Sequence, residues 1–175
     1  MSDTSPVPPV SPAPGQGAMM VNLQYVKDLS FEVPGAPQIF TQLKAQPQVS
    51  INLDVQARRV QEGTPAFEVA LVIRAEAQEA NVPGNGQAAP ATVFVAELTY
   101  AGVFTLQDVP EDKIDLVLLV ECPRLLFPFA RNILADATRE GGFPPVLLQP
   151  IDFMALYFAR QQQAQGAPPA GTGLA

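Results

Sequence analysis

A domain of the α+β class is what this sequence predicts. Segments with strand period come first, segments with helix period follow, and the helical ones are too few to cover both faces of a sheet. The plainest strand signal is Val49, Ile51, Leu53, Val55 and Ala57 alternating with Gln48, Ser50, Asn52, Asp54 and Gln56. After about Asp108 the apolar spacing lengthens to that of a helix.

The first strand lies within Val21–Pro37. Its odd positions Val21, Leu23, Tyr25, Leu29, Phe31 and Val33 are apolar apart from Lys27, and its even positions include Asn22, Gln24, Asp28, Ser30 and Glu32. That pattern predicts one buried face and one acidic, wet face, ended by Pro34, Gly35 and Pro37. Residues 38–47 read as a crossing loop whose Ile39, Phe40 and Leu43 lie against the body of the protein. The strand around Val49–Ala57 then pairs as an antiparallel hairpin with one over Phe67–Ala77, across a turn containing Gly63. Thr92–Leu106 is apolar on both sides, with Glu97 its sole charge. Such a strand either lies centrally in the domain or presents a face to another subunit, and the scarcity of helices favours the second.

Asp108 with Glu111 has the spacing of a capping box and places a helix start there. Pro123 should interrupt this helix and Pro128 should open another, with Phe129, Ala130, Ile133, Leu134 and Ala137 apolar before a stop at Gly141 and Gly142. Residues 143–150, with Pro144, Pro145 and Pro150, form an extended apolar connector. Asp152 caps a last helix that brings Phe153, Leu156, Tyr157 and Arg160 to one side. The proline-rich leader, residues 1–18, and the charge-free tail, residues 165–175, are expected to be disordered around a folded unit of residues 19–164.

The 175 residues suit one domain, and 10 basic against 17 acidic residues give a net charge of −7, which repels nucleic acid and anionic lipid. The longest apolar run in the fold, Leu116–Val120, is far below the roughly 20 residues that span a bilayer, and no basic-then-apolar leader opens the chain. A cytoplasmic protein without membrane insertion is expected, and the lone Cys122 suits a reducing compartment.

Histidine is absent, which removes the commonest general base, the usual zinc ligand and every imidazole triad. Cys122 reads as an inert packed thiol, and Gly84-Asn85-Gly86 as a loop tip rather than a phosphate cradle. Glu111, Asp112 and Asp115 suit the positive end of a helix dipole better than an acid/base pair or metal site. No enzyme activity, metal or cofactor is expected.

The run Tyr-Val-Lys-Asp-Leu-Ser-Phe-Glu-Val-Pro-Gly-Ala-Pro-Gln-Ile-Phe at residues 25–40 resembles the first strand and crossing loop of SecB, the bacterial protein-export chaperone family. Leu-Phe-Pro-Phe-Ala-Arg at 126–131 and the Phe-Pro-Pro and Pro-Ile-Asp-Phe motifs within 142–157 resemble its second helix, connecting loop and last helix. The resemblance implies a four-stranded antiparallel sheet with helices on one side, assembled as a dimer of dimers, a homotetramer. It implies a chaperone that holds unfolded secretory precursors without using ATP and passes them to SecA, the motor of the translocase. A general or toxin-antitoxin chaperone on the same fold, without SecA docking, is the alternative. Positions matching the family's contact with the zinc-binding C-terminal tail of SecA are Asp28, Glu32, Val95 and Glu97. Those matching its client-peptide groove are Phe40, Val49, Ile51, Leu53, Phe143 and Leu148. The crossing loop departs from the family in lacking a tryptophan often found there, near Leu43 to Ala45.

Overall fold

The computed structural model describes residues 18–43, 45–79 and 91–166. The expected leader and tail fall outside these residues, except that β1 already starts at Ala18 and the last helix runs through Gly166; the loop tip at Gly84–Gly86 is also outside. Four strands, β1 (Ala18–Glu32), β2 (Gln48–Arg59), β3 (Ala66–Gln78) and β4 (Thr92–Gln107), form one antiparallel sheet in the order β1-β4-β3-β2. The crossing segment holds a short helix, α1 (Ile39–Gln42), and the second half of the chain supplies α2 (Glu111–Leu116), α3 (Cys122–Glu140) and α4 (Phe153–Gly166).

Of the two expected settings for the doubly apolar strand, the central one is what the structure has: β4 lies between β1 and β3. Phe67, Val69, Leu71 and Ile73 of β3 and Ala96, Leu98, Phe104 and Leu106 of β4 pack with Leu126, Ala130 and Leu134 of α3 in the main core. The intervening residues form a helix-free face, where Ala70 and Ala101 are buried and Val95, Glu97, Thr99 and Val103 are half-buried.

β1 departs from simple alternation. Asn22 and Lys27 are bulged out of the pairing with β4, so Leu23 pairs with Val103 and Tyr25 with Ala101, while Val21 pairs with Phe104 and Leu29 with Leu98. Each bulge shifts the pleat by one residue. Leu23 and Tyr25 therefore turn to the helix-free face, whereas Val21, Leu29 and Phe31 keep the helix side. As an edge strand β1 also leaves Val21, Leu23 and Leu29 exposed, so its odd positions are not a single buried row.

The helices correct three expectations. Asp108 does not cap: it sits at φ 55°, a left-handed conformation that aspartate tolerates, and α2 starts at Glu111 with Pro110 as its N-cap and no side-chain cap bond. Pro123 does not break the helical path: a π-helical turn over Val117–Glu121, in which the Cys122 amide donates to the Val117 carbonyl, feeds directly into α3, and the wider turn accommodates a residue with no amide to donate. Pro128 lies inside α3 rather than opening a helix. The roughly 3 kcal/mol that such a proline costs is offset by burial of Leu126, Phe127, Ala130 and Leu134, each worth about 1–3 kcal/mol. Phe129, by contrast, is 51% exposed. The stop at Gly141 and Gly142 and the Asp152 cap, whose Oδ1 accepts from the Ala155 amide at 3.0 Å, are as the sequence predicts.

One buried carboxylate joins three of the four strands and spans the fourth. Glu68 of β3 accepts hydrogen bonds from Tyr25 and Lys27 of β1, which reach it across the small Ala101 of β4, and from Arg58 of β2. With its side chain only 6% exposed, it is held well below the usual carboxylate range, at about 2, chiefly by Arg58, with Tyr25 and Lys27 adding to an effect that burial opposes. Tyr25 is in turn raised by its bond to Glu68.

A depressed carboxylate stabilises the fold at pH values above its ordinary pKa of 4.5, and that contribution fades as pH falls towards about 2. Glu68→Gln should therefore cost about 2 kcal/mol at pH 7, a figure reduced because Lys27 and Arg58 approach from solvent. Urea unfolding at stepped pH should show the gap between wild type and variant closing between pH 4.5 and about 2.

Candidate functional site

Two surfaces on opposite faces of the sheet carry the residues of interest. On the helix-free face the antiparallel register places Asp28 opposite Thr99, Ser30 opposite Glu97, and Glu32 opposite Val95. All four positions expected to meet SecA thus share one face, Asp28 and Glu32 by plain alternation, and Lys27, bulged out of the ladder before them, is what puts Tyr25 on that face as well. In β3 the neighbours of Glu97 and Val95 are Arg74 and Glu76. Arg74 is ion-paired with Glu97 and lies 3.2 Å from Glu76. Neither Arg74 nor Glu76 stood out in the sequence, because in an alternating strand both read as solvated polar positions.

On the helix side, at the edge strand β2, the connector after α3 arches over the sheet and encloses an apolar hollow of about 510 Å³. Val49 and Ile51 form its sheet wall, Phe94 its floor, and Phe143, Val146 and Leu148 its roof, with Pro47, Pro144, Pro145 and Pro150 around them. Of the six expected groove residues, Val49, Ile51, Phe143 and Leu148 line this hollow. Phe40 does not line it but adjoins it, its ring 5.2 Å from that of Phe143 while half of the residue stays exposed. Leu53 is elsewhere: with Val55, Leu119, Leu156, Tyr157 and Arg160 it lines a second, more polar hollow of about 340 Å³ between β2 and α4. The sequence missed Phe94, whose parity marked it only as core.

The aromatic character that the missing tryptophan put in question comes from phenylalanines. Phe143 lies 4.9 Å from Phe94, and Phe31 of β1 stacks on Phe94 at 5.4 Å. Gly141 makes room for this cluster, since a Cβ there would fall 2.1 Å from the Phe31 ring; Gly142 follows at φ 88° and turns the chain into the connector.

The connector is anchored by a residue that sequence reasoning passed over. Thr138, fully buried in the last turn of α3, donates its hydroxyl to the carbonyls of Leu134 and Ala135 and accepts from the Val146 amide at 3.0 Å. One side chain thereby fixes the middle of a segment that has no ladder of its own.

Against this geometry, comparison with known proteins is decisive: the family profile described as "Preprotein translocase subunit SecB" matches residues 13–164. The chain belongs to the SecB family. The "Protein-export protein SecB" of Granulibacter bethesdensis is 66% identical over 147 residues, covering 84% of each chain, and that of Acidiphilium cryptum is 57% identical over 152 residues, covering 85% of this chain and 92% of its own. Among solved structures, a SecB-like chaperone of Mycobacterium tuberculosis in complex with an antitoxin peptide matches with TM-score 0.58 over 76% of this chain and 90% of that one, at 17% identity, which shows a shared fold.

SecB is a family of protein-export chaperones, and the groups usually suspected of chemistry fit a binding role. Cys122 is buried beside the Met19 sulfur at 3.4 Å, and burial pushes its thiol up to about 12, far from the thiolate a nucleophile needs. Glu111 and Asp112 lie exposed in the first turn of α2, where a helix dipole favours acids. Among the described residues no helix is long and apolar enough to cross a membrane.

Thr138→Val keeps the shape but removes the hydroxyl that holds the connector. It should cost about 1–2 kcal/mol and accelerate amide exchange at Val146 and its neighbours while the sheet amides stay protected, as read by hydrogen-exchange mass spectrometry.

Proposed function

We propose that this SecB family member is a cytoplasmic, ATP-independent holdase that keeps secretory precursors unfolded and delivers them to SecA. The supporting observation is the division of labour across one sheet. Asp28, Glu32, Val95 and Glu97 share the helix-free face, and the apolar hollow of Val49, Ile51, Phe143 and Leu148 lies on the other. Client and motor protein then bind without competing for space. Unfolded segments present apolar side chains in extended chain, which a proline-walled trough can take without demanding a particular sequence. Several weak contacts on one client add up to retention through effective concentration, the more so if subunits assemble as a homotetramer, a dimer of dimers. In this reading Phe40 flanks the client groove and Leu53 extends it along β2. The acidic face meets the zinc-binding C-terminal tail of SecA, and the net charge of −7 draws in basic clients.

A second reading follows from the M. tuberculosis neighbour, which was solved with an antitoxin peptide. The same fold would then serve one dedicated client without SecA docking. The acidic face separates the two readings, since only export delivery requires it.

The double reversal Asp28→Lys/Glu32→Lys should weaken SecA binding at least tenfold by calorimetry and leave suppression of aggregation of an unfolded precursor intact. Unchanged SecA affinity would remove the export assignment. On the other face, Val49→Asp/Ile51→Asp puts charges on side chains that are 40% and 42% exposed, so the fold should survive. Aggregation suppression should fall at least fivefold in light-scattering assays while SecA binding is retained, and the opposite pattern would refute the assignment of the groove.

A further inference from the structure

The acidic face already contains a cation of its own. Rows of paired residues run across the sheet there: Ser30, Glu97, Arg74 and Asn52 in one, and Glu32, Val95, Glu76 and Ser50 in the next. Arg74 stands among the acids, bound to Glu97 in its own row and reaching Glu76 at 3.2 Å in the next. The other cations on this face, Lys27 and Arg58, are committed to the buried Glu68 and lie further along the strands. Arg74 is differently placed: its side chain is 47% exposed and that of Glu97 46%, so solvent and an incoming partner reach the pair from above. A guanidinium can exchange one exposed carboxylate for another at little cost, because such a pair is worth at most about 1 kcal/mol.

We propose that Arg74 is a built-in counter-ion that competes with the partner's cations for Glu97 and so sets both the affinity of the docking face and its sensitivity to salt. This rests on the reading of the face as the SecA contact. With Arg74 in place, one of the two acids beside it, Glu97 or Glu76, is offset, and the remaining negative charge of the face lies with the other and with Asp28 and Glu32. A lysine or arginine of the partner arriving at Glu97 must share or displace the guanidinium. Glu97 therefore contributes less than its position suggests, and docking stays weak enough for the chaperone to leave once its client is handed over. The role is one of tuning specificity, since Arg74 itself need not touch the partner.

The test is calorimetric titration of the full-length chain with the zinc-loaded C-terminal tail peptide of SecA, at low and at physiological ionic strength. Wild type, Arg74→Gln, Glu97→Gln and the double variant are compared. Arg74→Gln should bind roughly fivefold more tightly, with affinity falling more steeply as salt is added, because one more unscreened acid faces the peptide. Glu97→Gln should cost more in the Arg74→Gln background than in wild type, the non-additivity expected of two groups contending for one carboxylate. If Arg74→Gln leaves affinity and salt slope unchanged, or weakens binding, while wild type binds, Arg74 is only a cross-strand pair and the inference falls alone. If wild type does not bind the peptide at all, the docking assignment falls and takes this one with it. A urea unfolding midpoint for Arg74→Gln close to wild type confirms that the fold is not what is being measured.

Discussion

The sheet depends on a single carboxylate. Strand ladders join neighbours, but Glu68 joins β1, β3 and β2 at once, with β4 passing beneath the Tyr25 and Lys27 side chains. Both flanking strands are edges, each with one free rim and incomplete cover, and would be the first to fray. A desolvated anion with donors from both edges opposes that fraying, and each donor in turn compensates for removing the charge from water. Small residues lie along the path from Tyr25: Ala101 pairs with Tyr25 on one side and Ala70 on the other, and both alanines are buried.

A sheet held in this way can carry binding surfaces on both sides without serving them from a flexible hinge. On the helix side the apolar hollow has a rigid wall in β2 and a roof fixed at one point by Thr138, with the prolines on either side unable to satisfy a ladder even if one were offered. Apolar surface is thus kept open to solvent instead of collapsing into the core, which is what a protein needs if it is to retain unfolded chains. The cost is visible in exposed side chains such as Leu147 at 59% and Phe40 at 50%.

Much of this was legible in the sequence, and the failures have specific causes. The period of two set the extent of β2, β3 and β4 to within a residue or two: one face of β3 and of β4 meets a continuous core, and the apolar side of β2 lines the two hollows with only Val55 buried. Alternation alone showed Asp28 and Glu32 on one acidic face, but Val95 and Glu97 needed the family resemblance, since Glu97 in an otherwise apolar strand has no signature of its own. β1 was read with the wrong faces in its middle, because a bulge inserts a residue that alternation counts as an ordinary step. Pro123 and Pro128 misled for a related reason: local rules treat proline as a break, while the π turn and the buried side of α3 make a break unnecessary. Leu53 was grouped with Val49 and Ile51 through the family resemblance; the connector roofs only the start of β2, and Leu53 lines the second hollow instead. Arg74 and Thr138 were invisible because their importance lies in partners distant in sequence.

The two bulges of β1 carry an implication for how such a strand can change. Between Asn22 and Lys27 the side chains point opposite to those before and after, so the bulges act as paired frameshifts, the second restoring the phase that the first shifted. Each bulged residue is the extra one, so its loss alone would leave every other residue with its present partner, Val26 still on Tyr100 and Asp28 on Thr99 without Lys27, and every side chain on its present face. Loss of both would leave a straight strand with its outer halves in their present phase. Asn22 and Lys27 are therefore the two places where this strand can shorten by a residue and keep its pattern, whereas a deletion at a paired position would throw the residues on one side of it onto the wrong face.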